Sequence, residues 1–264
     1  MPPCECPRHA GLPERTTLID IMNDTPATPA LRAEMAPTGT LRVALNLSNF
    51  LLVSQAPPDG EPVGIAPDVG REIARRLGVP VTFVRYPSPG DLAAAAATGV
   101  WDVGLIGADP LRASEIAFTP AYLEIEASYL VRADSPIGTL ADVDRPGVRI
   151  AVGDKTAYDM YLRRTLQHAT LNRAAGLEAS YQLFVDQQLD ALAGLKPRLV
   201  ADQQRLPGSR VLDGRFTAIQ QAIGVPIAHT AAAAFLVNFV AEIKTALVAR
   251  LIAAHGVKGV SVAP

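Results

Sequence analysis

The stretch Gly99-Val-Trp-Asp-Val-Gly-Leu-Ile-Gly-Ala-Asp-Pro-Leu-Arg112 runs from a helix stop, through an apolar strand, to a new helix start. Residues 100–106 carry the branched apolar side chains that a buried strand requires. Asp109 followed by Pro110 supplies an N-cap acceptor and then a proline at the first helical position. Arg112 falls at the third helical position. Gly107 lets a ligand come close to the backbone. A strand end, free backbone N–H groups and a guanidinium therefore converge. That is the make-up of a carboxylate trap, in which a helix terminus and a bidentate arginine hold one anion. The bland alternative is a surface pairing of Arg112 with Asp109 or Glu115.

Working outward, the same alternation appears on both sides. Upstream, residues 41–45 read as a buried strand entering a polar loop, 46–59. Residues 67–77 read as a helix, with Val69, Ile73 and Leu77 on one stripe and Gly78 as its stop. Residues 79–86 read as a second strand, and Asp91 caps a helix that Gly99 ends. Downstream, 127–131 is extended and the rhythm restarts with a strand at 148–152. Helices follow at 156–166 and 176–189, a strand at 190–195 and a helix at 197–206. Residues 216–225 are extended, and a long helix closes the chain at 230–254. Strand–helix alternation predicts an α/β fold of mostly parallel sheets with flanking helices. Two such blocks predict two lobes, 39–131 plus 226–264 and 132–225, with crossings near 127–137 and 218–226. A ligand cleft is then expected between the lobes, at the C-terminal ends of strands. Residues 1–38 read as a disordered or loosely attached tail.

Composition excludes several classes of partner. Basic residues number 24 and acidic ones 26, and no basic run with interleaved aromatics occurs, so nucleic acid is not expected. Cys4 and Cys6 form C-x-C-x-x-H with His9; a Pro-rich tail is the preferred reading over a metal site, and no cofactor is expected. The first 38 residues show no apolar signal region. The most apolar stretch, 231–240, is interrupted or closely followed by Asn238, Glu242 and Lys244; it reads as an amphipathic or buried helix, with no direct membrane insertion. His9, His168, His229 and His255 lie far apart and outside any motif. The segment Gly153-Asp-Lys-Thr156 lacks the glycines of a P-loop. A non-catalytic binding protein is expected.

Several pieces together resemble one family. They are Gly39-Thr-Leu-Arg-Val43, residues 67–78, Gly99-Val-Trp-Asp-Val103, Asp109-Pro-Leu-Arg112 with Ile116-Ala-Phe-Thr-Pro-Ala-Tyr122, Leu140-Ala-Asp-Val143, Val148-Arg-Ile-Ala-Val152, Thr156-Ala-Tyr-Asp-Met-Tyr-Leu162 and Asp190-Ala. In this order, over about residues 40–256, they resemble the bacterial extracellular solute-binding proteins of family 3, capture subunits of amino-acid ABC importers. The resemblance implies a periplasmic-binding-protein-like fold of type II, a monomer in the periplasm, and a membrane permease as partner. It implies that Arg112 grips a ligand carboxylate with help from the Gly107 N–H, and that the Leu105 carbonyl faces the ligand amine. It places Asn46 and Asn49 in the first strand-loop, and Thr156 and Ala157 at an anion-binding helix start of the second lobe. The family's amine-binding aspartate is replaced by Leu195, and Lys196 follows as a second anchor for an anion. Gln220 and Gln221 lie at the return crossing. The alternatives are a cyclohexadienyl-dehydratase-like enzyme, with Glu124 or Glu126 as general acid, and a cytosolic ligand-sensing module.

Overall fold

The computed structural model describes residues 27–264; the Cys4, Cys6 and His9 motif lies outside them. The first lobe opens with α1 (Pro29–Met35), capped by the Thr28 hydroxyl. For residues 29–35 this corrects the expected loose tail of residues 1–38, whose first 26 residues lie outside the described ones. Leu31 and Met35 are buried in the main core, and that burial holds the segment down. Then come β1 (Leu41–Asn46) and α2 (Ile65–Leu77), with the predicted Val69, Ile73 and Leu77 stripe buried. The start of α2 lies earlier than predicted, at Gly64, whose φ of 142° and tight packing, 2.3 Å from an added Cβ to the Leu52 carbonyl oxygen, admit only glycine. Next are β2 (Val81–Tyr86) and α3 (Pro89–Ala94). Ser88, rather than Asp91, caps α3: its hydroxyl accepts from the Asp91 N–H. β3 (Val103–Gly107) leads into a single 3-10 turn, Pro110–Arg112, capped by Asp109 as its sequence requires. β4 (Ile116–Phe118) and β5 (Leu123–Arg132) follow.

The second lobe contains β6 (Arg149–Gly153), α4 (Ala157–Thr165), β7 (Thr170–Ala174), α5 (Leu177–Asp186), β8 (Ala191–Leu195), α6 (Lys196–Arg205) and β9 (Ser209–Val211). The chain returns through β10 (Thr217–Pro226) and ends in α7 (Thr230–Ala254) and β11 (Val260–Val262). The strand order is β2-β1-β3-β10-β5-β8-β6-β7. Within each lobe the strands run parallel: β1 with β2 and β3, and β6 with β7 and β8. The two long strands β5 and β10 run antiparallel to their neighbours and link the halves. The first part of β5 pairs with β10 and β11, and its second part with β8 and β9.

By length and composition α7 alone among the described helices is apolar enough to cross a membrane, at a mean hydropathy of 1.6. Its Ala232, Leu236, Phe239, Val240, Ile243 and Val248 are buried in the core that also holds Leu41, Val69 and Ile73.

Candidate functional site

Where β1, β3 and β10 of one lobe face α4 and β8 of the other, they enclose a cavity of about 40 Å³. Its polar lining comes from Asn46, Ser48, Asn49, Arg112, Thr156, Tyr158 and Gln221, and an apolar wall from Leu177, Leu195 and Ile219.

Arg112 is the centre of the site. It is only 4% exposed. Nη1 donates to the Gly107 carbonyl at 2.6 Å, and Nη2 donates across the cleft to the Lys155 carbonyl at 2.8 Å. Nε is buried without a partner. Burial pushes the guanidinium down to about 10, opposed by the nearby Asp109 charge, so it stays cationic at neutral pH. Asp109 is not its ion-pair partner: Arg164 of α4 reaches over and donates to both Asp109 carboxylate oxygens, at 2.8 and 2.9 Å. The surface pairing of Arg112 with Asp109 or Glu115 therefore does not occur. Asp109 and Arg164 cancel, and Arg112 keeps one positive charge without a carboxylate bound to it. A buried cation in that position favours an anion.

The second lobe answers with a helix start. The Thr156 hydroxyl accepts from the Asp159 N–H and caps α4. Ala157 and Tyr158, the first residues of α4, line the cavity, and first-turn N–H groups have no intrahelical acceptor. The preceding residue, Lys155, sits at φ 55°, a left-handed conformation that costs a lysine roughly 1 kcal/mol. That turn aims the Lys155 carbonyl at Arg112. Asp159, fully buried, holds the turn by accepting from the Lys155 N–H at 3.0 Å and from Arg173 Nε at 2.8 Å.

Of the expected residues, Arg112, Gly107, Asn46, Asn49, Thr156 and Ala157 come together around the cavity. Asn46 is occupied, accepting from the Ser48 N–H and hydroxyl. Among the described residues the Asn49 side-chain oxygen is buried without a partner. Burial pushes the ionisation of the Tyr158 hydroxyl up, opposed by its interaction with Thr156. Leu105 does not line the cavity; it lies deeper in β3, paired with Leu45 and Ile223, in the core. Lys196 does not line it either, and the expectation of a second anchor is corrected. Its Nζ bonds Glu126 at 3.1 Å, beside a separate cavity of about 540 Å³ with Glu124 and Lys258. Leu195 ends β8 on the cleft side, and Lys196 opens α6 with its side chain turned away from the cleft toward Glu126. Strand parity explains the glutamines. Gln221 faces the cavity with Ile219, whereas Gln220 pairs with Glu124 on the opposite face. Glu124 and Glu126 share that opposite face, away from Arg112. Tyr158, Leu177 and Ser48 were not anticipated as lining residues.

Residues 41–254 match the family described as bacterial extracellular solute-binding proteins, family 3. Among solved structures, a mutant of ArgBP from T. maritima superposes with a TM-score of 0.67 at 24% identity, covering 84% of this chain and 97% of that one. An ancestral amino acid-binding protein, a precursor of cyclohexadienyl dehydratase, gives 0.67 at 22% identity over 84% and 97%. The amino acid ABC transporter substrate-binding protein AbpA from Streptococcus pneumoniae, bound to L-arginine, gives 0.66 at 17% identity over 83% and 95%. No match emerged among curated proteins. These structures share the two-lobed fold, and the family match covers most of the chain: the protein belongs to the bacterial extracellular solute-binding proteins, family 3.

Proposed function

We propose that this solute-binding protein captures a small carboxylate-bearing molecule between lobes formed by residues 39–131 plus 226–264 and 132–225, and delivers it to the membrane permease of an ABC importer. It works as a monomer outside the cytoplasm. The observation that carries the reading is the buried Arg112 guanidinium, unpaired by any carboxylate among the described residues and set opposite the start of α4. The ligand carboxylate meets Arg112 and the Gly107 region first. The N-terminus of α4 adds its N–H groups only when the lobes are together, and that difference in affinity drives closure. The crossings near 127–137 and 218–226 absorb the bend. No chemistry is required: the carboxylates weighed as general acids, Glu124 and Glu126, face the other side of the sheet.

The test is a thermal-shift screen of small carboxylates, followed by calorimetry. A ligand at a hundred times its Kd adds about 2.7 kcal/mol of stability and raises Tm visibly. Arg112→Ala should abolish binding while leaving the cooperative unfolding transition in place. Micromolar binding retained in that variant sinks the assignment.

A further inference from the structure

Resting on the capture reading above, we propose that the cleft selects short carboxylic acids that carry no charged amine, such as 2-oxo and 2-hydroxy acids, over the corresponding amino acids. The first ground is charge. Arg112 is the one ionisable cation or carboxylate among the residues lining the cavity, and its neighbour Asp109 is already neutralised by Arg164. A monoanion makes the buried site neutral. A zwitterion brings an ammonium that must be desolvated with no carboxylate to receive it, and leaves the Arg112 charge as a net surplus.

The second ground is the set of unused hydrogen-bonding groups. Among the described residues the Asn49 oxygen is buried without a partner, and the Gln221 amide, 3% exposed, lines the same cavity. The nearby carbonyls of Gly107 and Lys155 already accept from Arg112. The Asn49 oxygen accepts from a ligand hydroxyl, the Gln221 amide N–H groups can donate to a hydroxyl or keto oxygen, and buried polar groups discriminate strongly when a ligand leaves them unpaired. The third ground is wall chemistry. Leu177, Leu195 and Ile219 close one side of the cavity and suit an acid with an apolar end.

Calorimetry on the purified chain with matched pairs, pyruvate and L-lactate against L-alanine, and 2-oxobutanoate against 2-aminobutanoate, tests this. The expected result is a Kd at least about tenfold lower for each amine-free acid, with binding lost in Arg112→Ala. Placing a carboxylate on the cavity wall by Leu195→Asp should move the preference toward the amino acid; since Leu195 is buried, the wild-type comparison decides if that variant does not fold. Tighter binding of L-alanine than of pyruvate and lactate overturns the selectivity and leaves carboxylate capture intact. Binding of amine-free acids that survives Arg112→Ala overturns the capture site itself. Absence of binding to every member of both pairs overturns the selectivity, and a carboxylate hit elsewhere in the thermal-shift screen then keeps the capture reading.

Discussion

Asp102 is 1% exposed, and three groups of Arg42 converge on it: the backbone N–H at 2.8 Å, Nε at 3.0 Å and Nη2 at 2.6 Å. This pair ties the start of β1 to the start of β3, at the end of β3 opposite the turn that carries Arg112. Asp102 is buried but the Arg42 side chain is 23% exposed, so water takes up part of the charge left behind and Asp102→Ala should cost about 2 kcal/mol in urea unfolding. Ligand preference should not change, since neither residue lines the cavity. A loss under about 0.5 kcal/mol would mean the pair is a solvated surface bridge. Legibility differs sharply among single residues. Arg112 was readable because Asp109-Pro110 fixes a turn, and the turn fixes where position 112 lies. Lys196 is less legible: it opens α6 directly after β8, and the direction of its side chain is set by that strand-to-helix turn, which the local sequence does not fix. Tyr158 left no signal, because its apolar stripe with Leu162 already accounted for it as a core residue.

Among the elements, α4 has the closest connection to function. Its cap is Thr156, 6% exposed, whose hydroxyl accepts from the Asp159 N–H at 3.1 Å and donates to the Gly153 carbonyl at 2.9 Å. Thr156→Ala should lower stability by about 1 kcal/mol, the usual cost of a lost N-cap. It should also weaken ligand binding several-fold, because the same cap orients the first N–H groups toward the cavity. Thr156→Ser should restore both, as read by calorimetry and thermal unfolding; failure of serine to restore affinity would show that the methyl contact, not the cap, matters. Two long elements, α2 with its clear period and α7 with its continuous apolar run, agree with the sequence reading to within two residues of their bounds or better. The strands β7, β9 and β11 were not. β7 reads Thr-Leu-Asn-Arg-Ala and is only partly buried, while β9 and β11 have three residues each. Their strand character comes from partners distant in sequence, β6 for one and β5 for the others, which local composition does not encode.

At the scale of the molecule, the two lobes are latched by Asp109 and Arg164. The pair has favourable bidentate geometry, and the Asp109 side chain is 3% exposed while Arg164 is 35% exposed. It does two things at once. It holds the 3-10 turn of the first lobe against α4 of the second, and it keeps Asp109 from neutralising Arg112. Removing Arg164 therefore has two consequences with opposite dependence on Asp109. The lobes separate more readily, which small-angle scattering of the ligand-free protein should show as a larger radius of gyration. Asp109, now unpaired, turns its charge on Arg112 and competes with the ligand carboxylate. Arg164→Ala should thus weaken carboxylate binding by about tenfold, near 1.4 kcal/mol, although Arg164 does not line the cavity. Adding Asp109→Asn to Arg164→Ala removes the competing charge and should restore part of the affinity while the radius of gyration stays large. The asparagine oxygen still caps the turn, so the site keeps its shape. If the double variant binds no better than Arg164→Ala alone, the latch acts through closure only, and Asp109 has no share in setting the charge of the cleft.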